Sequence, residues 1–199
     1  MSLTADELAL VIRLYLFVGL IVTALIVMKI TGRLSSWIWG TSAGAFLATA
    51  IGWEIWFTYG LIGGDSVNQR RSDALNTAVP AHINWVLNSV ADVGMCLIGL
   101  YLVRLAYGSG SKVFKQWHWG AFSILFSWLI LQNLYVEMVV YADQVTSGVL
   151  AWAPMAPTGP WFNPILFEIA GHPATLQGQI PWVIMTPLLY WMVIRANNQ

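Results

Sequence analysis

Five stretches of this chain are each apolar over a length that crosses a membrane's hydrocarbon core: Leu8 to Ile30, Trp37 to Ile62, Ile83 to Tyr107, Trp119 to Ala142 and Gln179 to Ile194. A core of about 30 Å takes roughly 20 helical residues. A soluble fold fails on charge. Only 9% of the 199 residues are charged, whereas a soluble surface draws on about 25%. In hydrocarbon every backbone N–H and C=O must be bonded internally, which leaves helices or a closed barrel. Spans this long, without short-period alternation, exclude membrane strands. The expectation is an all-α protein, a polytopic bundle of five transmembrane helices in one integral membrane domain, residues 1–199. The first span has Asp6 and Glu7 in front of it and no small-residue cleavage site behind it, so it reads as a retained helix rather than a signal.

Nine Lys and Arg balance nine Asp and Glu, so there is no basic footprint for nucleic acid. The single cysteine, Cys96, excludes a disulfide framework and a cysteine zinc cage. His82, His118 and His172 follow no recognised ligand spacing, and no metal or cofactor is implied. The cations are distributed unevenly. Lys29, Arg33, Arg104, Lys112, Lys115 and Arg195 follow spans one, three and five, while the opposite side has only Arg70 and Arg71. The positive-inside rule then puts the N-terminus outside and the C-terminus in the cytoplasm. Arg70 and Arg71 read as a solvated pair or a headgroup contact.

Two outer connections stand out. Gly63 to His82 is polar, with a turn at Gly63-Gly64-Asp65. Residues 143–178 carry Pro154, Pro157, Pro160, Pro164 and Pro173, which forbids a continuous helix. Yet Trp152, Trp161, Phe162, Ile165, Leu166 and Phe167 make this segment apolar. It is expected to lie on the outer interface, as an ordered cap over a site or as a plain anchor.

Ionisable side chains inside such spans cost about 2.5–3.5 kcal/mol each on insertion scales and mark functional sites by default. This chain has four: Arg13, Glu54, Asp92 and Glu137. Glu54 lies eight residues before Ile62, Asp92 nine after Ile83, and Glu137 five before Ala142. At a rise of about 1.5 Å per residue, the acids sit roughly 12, 13 and 8 Å below the outer boundary. Arg13 is five residues into the first span. All four converge on the outer half of the bundle, and the inner half is almost purely apolar.

Residues four apart share a helix face. Asn84, Asn88, Asp92 and Cys96 therefore form one stripe, and Asn133, Glu137 and Tyr141 another. Thr58 follows Glu54 by one turn, with Trp53 and Trp56 flanking the acid. These stripes are expected to face each other. Hydrogen bonds that join helices, each worth about 0.6 kcal/mol, account for the asparagines. They account poorly for three acids against one arginine.

Burial and a neighbouring carboxyl both favour the neutral acid. Two carboxyls in an apolar pocket can then divide roles, one donating a proton and the other accepting one or facing a cation. Indole faces attract cationic character as well. Such a pocket suits a hydrophobic substrate that passes through a carbocation, and equally an amphiphilic amine. Glu54, Asp92 and Glu137 are the candidate catalytic acids, with Trp53, Trp56, Asn88, Asn133 and Tyr141 around the substrate.

The layout resembles the emopamil-binding protein family, the membrane sterol Δ8-Δ7 isomerases and their EXPERA-domain relatives, over residues 8 to 194. The residues that carry the resemblance are Glu54-Ile55-Trp56-Phe57-Thr58-Tyr59 with Gly64-Asp65, then Asp92 with Cys96 and Leu97, then Gln132, Tyr135, Glu137 and Tyr141, and finally Gln179, Trp182 and Pro187. The resemblance implies one leading helix followed by a four-helix unit. It also implies that Glu54 and Asp92 protonate or hold the cationic centre, with Gln179 and Trp182 lining the pocket. Ala50 stands where the family has a histidine, Asp92 where it has Glu, and the loop before the fifth span is longer. Through Trp53-Glu54 the chain is also similar to the small integral-membrane terpene cyclases, which usually have seven spans.

Two functions of different class follow. One is an enzyme that isomerises or cyclises a sterol, terpenoid or similar lipid by carboxyl-mediated proton transfer. The other is a non-catalytic subunit, or a lipid- or pigment-binding component, of a larger membrane complex. The expected partners are a hydrophobic small molecule or lipid ligand, membrane lipids, and a second copy or other chains of a complex. A proton-coupled transporter is disfavoured, because no inverted repeat and no broken helix pair is visible.

Overall fold

The computed structural model of the protein describes residues 2–61, 65–140, 163–169 and 171–198. It is mostly helical. The long elements are α1 (Ala5–Ile30), α2 (Ser36–Thr49), α6 (Ala81–Tyr107), α7 (Trp119–Tyr135) and α8 (Leu176–Asn197). Helix α2 continues through one π-helical segment, Ala50–Glu54, into α3 (Ile55–Tyr59). Helix α7 continues into a second, Val136–Val140. Two short helices, α4 (Val67–Arg70) and α5 (Asp73–Ala78), bridge to α6. Ile165–Ile169 (β1) and His172–Thr175 (β2) form an antiparallel hairpin just before α8.

Three helical stretches among the described residues are long and apolar enough to cross a membrane: Ala5–Ile30, Ala81–Tyr107 and Trp119–Val139. The second expected span is divided by its π segment, and the fifth carries Pro181 and Pro187 inside α8. Helices α2, α6, α7 and α8 pack each on the next, and α8 returns onto α2, so the four close into a ring. Ala45, Cys96, Leu100, Leu125, Leu129, Met185 and Leu189 fill its interior. Helix α1 packs outside the ring, on α6. The ends differ sharply: one carries Glu7, α4, α5 and the hairpin, and the other carries Arg33, Arg104, Lys115 and Arg195. They are called the acid end and the basic end below.

Helix boundaries follow local chemistry. Thr4 and Glu7 form a reciprocal capping box at the start of α1. Gly60, at φ 62°, ends α3, and Gly108, at φ 84°, ends α6; both are conformations that L side chains avoid. The His118 Nδ1 accepts from the Ala121 N–H (3.3 Å) to start α7, and Thr175 Oγ1 accepts from Gly178 N–H (3.2 Å) to start α8. Indole N–H groups tie the helices together, as an apolar surround requires of them. Trp128 donates to the Met95 carbonyl (2.8 Å) and Trp85 to the Ala50 carbonyl (2.8 Å).

Where α1 meets α6, Gly94 lies against Ile21, and a Cβ there would overlap the isoleucine side chain. Gly94→Leu is therefore expected to push α1 off the bundle and to lower stability by about 1–3 kcal/mol. A lowered midpoint of thermal unfolding in detergent checks this.

The connections differ from expectation. The polar loop expected after α3, with its one turn at Gly63-Gly64-Asp65, holds two short helices, each begun by a serine, Ser66 and Ser72; residues 62–64 lie outside the described residues. Of the expected cap at 143–178, residues 143–162 also lie outside them. Its described end forms the hairpin, and α8 already begins at Leu176. The β-favouring run Ile165-Leu166-Phe167 and the turn at Gly171 (φ 81°) explain the hairpin.

Arg71 corrects another expectation. It is buried, 6% exposed, rather than solvated. Its Nε donates to Asn76 Oδ1 (3.2 Å), Nη1 to Asn84 Oδ1 (3.2 Å) and Nη2 to the Val79 carbonyl (2.8 Å). Burial, and Arg70 beside it, push its pKa down to about 10. Arg70 Nη2 donates to the Phe57 carbonyl (2.7 Å) at the end of α3, where a cation meets the negative end of the helix dipole.

Candidate functional site

The site begins with the π segments, each of which contains one of the acids of the expected spans. Glu54 closes Ala50–Glu54, and Glu137 is the second residue of Val136–Val140. A π turn inserts a residue and re-aims the side chains after it, and such turns recur at functional sites. The Trp85 indole, bonded to the Ala50 carbonyl, braces the first of them.

Glu54 is 1% exposed, on the π segment that packs against α6. Across from it on α6, Asp92 is 5% exposed. The two carboxyls are close enough to interact electrostatically. Trp53 Nε1 donates to Asp92 Oδ2 at 3.0 Å, which orients the aspartate. The Trp53 ring meets that of Trp182 from α8, centroids 5.8 Å apart and planes at 57°. Cys96, one turn along α6 from Asp92, is buried in the core.

Glu137 belongs to a second group. Its Oε1 accepts from Asn133 Nδ2 (3.1 Å) and its Oε2 from Gln179 Nε2 (2.8 Å). Asn133 also donates to the Gly178 carbonyl (3.1 Å). A Cβ at Gly178 would run into the Glu137 carboxylate, so a larger residue there would require that side chain to shift. Gln179 and Trp182, three residues apart on α8, connect the groups: the amide reaches Glu137 and the indole reaches Trp53.

Two buried carboxyl or amide oxygens, Glu54 Oε1 and Gln179 Oε1, have no hydrogen-bond partner among the described residues. Such oxygens are rare and each calls for an explanation. Among those residues no three His, Cys, Asp or Glu side chains gather as a metal site would need.

The other sequence candidates divide. Thr58, one turn from Glu54, is buried and accepts from Asn84 Nδ2 (3.3 Å). Asn84 links it onward to Arg71. Asn88 is half-buried on the same stripe. Trp56 is 47% exposed and faces away from the acids, because two residues along a helix turn the side chain by about 200°. Arg13 Nε donates to the Ala9 carbonyl (3.2 Å) on α1, outside the ring. Tyr141 lies outside the described residues. Sequence reading missed the π turns, the bracing Trp85 and the buried Arg71. The place of Trp85 between Asn84 and Asn88 in the sequence was the only hint of the second.

No protein-family model matches this chain, and no curated protein or solved structure is significantly similar to it.

Proposed function

We propose that the chain is an integral membrane enzyme that isomerises or cyclises a sterol-, terpenoid- or similar lipid-like substrate, with Glu54 and Asp92 as its proton-transfer pair. All five long helical paths would cross the bilayer, with the N-terminus outside and the acid pair in the outer leaflet. The observation that carries this reading is the pairing itself. Two buried carboxyls on neighbouring helices lie within electrostatic range of each other beside two indoles, and one of them has an oxygen with no partner among the described residues.

In an isomerisation, one carboxylic acid gives its proton to an alkene carbon, and the π pair becomes the new C–H bond. The cation left on the adjoining carbon faces the ionised partner carboxylate and the rings of Trp53 and Trp182. That carboxylate then removes a proton from the next carbon, and the C–H pair becomes the shifted double bond. The substrate gains and loses one proton, and the pair exchanges its own with water. Glu137, bonded by amides at both oxygens, acts as a positioning residue that holds Gln179. The one leading helix outside a closed four-helix ring supports the resemblance to the emopamil-binding protein family.

The test is mass spectrometry of organic extracts from the purified protein, before and after incubation in heavy water. The expected result is one enriched hydrophobic species whose isotope envelope shifts by solvent deuterium. A protein that holds no lipid and co-purifies with other chains instead favours the subunit reading.

A further inference from the structure

Helices α1 and α6 are joined through their acid-end halves, by Leu14 and Val18 packed against Leu87, Val90 and Ala91, and by Ile21 on Gly94. Toward the basic end a cavity of about 510 Å³ opens between α1, α2 and α6. Its wall is apolar, formed by Ile21, Leu25, Met28, Leu97, Ile98 and Tyr101. Its mouth is cationic: Arg33, Arg104 and Lys115 stand around it, together with the turn Ser109-Gly110-Ser111. No acid occurs in residues 8–53, 93–136 or 169–199, the segments that build this end. Among the described residues, these segments therefore offer the three cations no acidic side chain.

We infer that this cavity binds an anionic phospholipid, one acyl chain lying between α1 and α6 and the phosphate held by Arg33, Arg104 and Lys115. The volume falls within the roughly 300–1,000 Å³ of ligand pockets, which are mostly apolar with a few placed polar groups. Basic pockets between membrane helices select anionic headgroups in the same way. Arginine guanidinium groups bind phosphate oxygens in pairs, and the serine hydroxyls add donors. The general bias of cations to one side puts Lys112 and Arg195 at this end too, but neither borders the cavity. That difference separates a site from a bias. The lipid would seal α1 to a bundle it otherwise meets over half its length, and the inference uses no part of the acid site.

The experiment is native mass spectrometry of the full chain in detergent, titrated with phosphatidylglycerol and phosphatidylcholine of matched acyl chains. The wild-type protein is expected to retain phosphatidylglycerol preferentially. Neutralising Arg33, Arg104 and Lys115 to Gln should lower that preference by about fivefold per cation removed, whereas Lys112→Gln with Arg195→Gln should leave it unchanged. Leu97→Trp, which fills the cavity and keeps every charge, should abolish retention. Equal retention of the two lipids, or a triple variant no different from the Lys112/Arg195 control, overturns the proposal. So does retention that survives Leu97→Trp or is displaced fully by inorganic phosphate, because either would mean a surface charge effect with no acyl chain bound.

Discussion

Glu54→Gln and Asp92→Asn are each expected to slow deuterium incorporation into the bound lipid by about 10²–10⁴-fold, the usual contribution of a general acid or base. Both variants should remain folded. Glutamine matches glutamate in shape, and it removes an ionisable group from a site that is 1% exposed and holds a second carboxyl. Asparagine at 92 keeps an oxygen to accept from the Trp53 indole, so the contact between α2 and α6 survives. Unfolding in detergent, followed beside the exchange assay, separates lost chemistry from lost structure. If both variants exchange at the wild-type rate, these acids do not move the proton.

Trp182→Ala is expected to produce the largest loss of stability, about 3–5 kcal/mol, as large-to-small changes of buried aromatics do. The indole is 4% exposed and lies in the main core, against Trp53. Its loss opens a void beneath the acid pair and frees the Trp53 ring that orients Asp92. Trp182→Phe should recover most of the stability, since an aromatic ring still fills the space. Its exchange rate should fall less than that of the alanine variant, because a smaller π face remains toward the cation. Denaturant or thermal unfolding of the three proteins side by side measures the first effect. An alanine variant as stable as the parent would show that Trp182 does not hold the site together.

The helical fold was legible because hydrocarbon leaves the backbone few choices. The positions of the long helices could be read from apolar runs, and the burial of Asn84, Asp92, Cys96, Asn133 and Glu137 is consistent with four-residue spacing. Asp92 and Glu54, grouped by their distances from the span ends, are both buried and lie within electrostatic range of each other. Glu137 illustrates the limit of that argument. Depth grouped it with the other two acids, but depth does not specify partners, and the carboxylate accepts hydrogen bonds from the amides of Asn133 and Gln179. Trp56 failed for the opposite reason: nearness in sequence to Glu54 says nothing about face. The π turns were illegible because a single inserted residue leaves no compositional trace. Arg71 read as solvated because the asparagines that satisfy its guanidinium, Asn76 and Asn84, lie on two different elements of the folded chain.

The most direct test of the carboxyl pair is the exchange rate of the double variant Glu54→Gln/Asp92→Asn against the two single variants. Groups that act as one unit in a reaction are strongly non-additive. The double variant is therefore predicted to be no slower than the slower single one. A rate that falls by the product of the two single effects would contradict a shared proton-transfer site and would mean that each acid acts on its own.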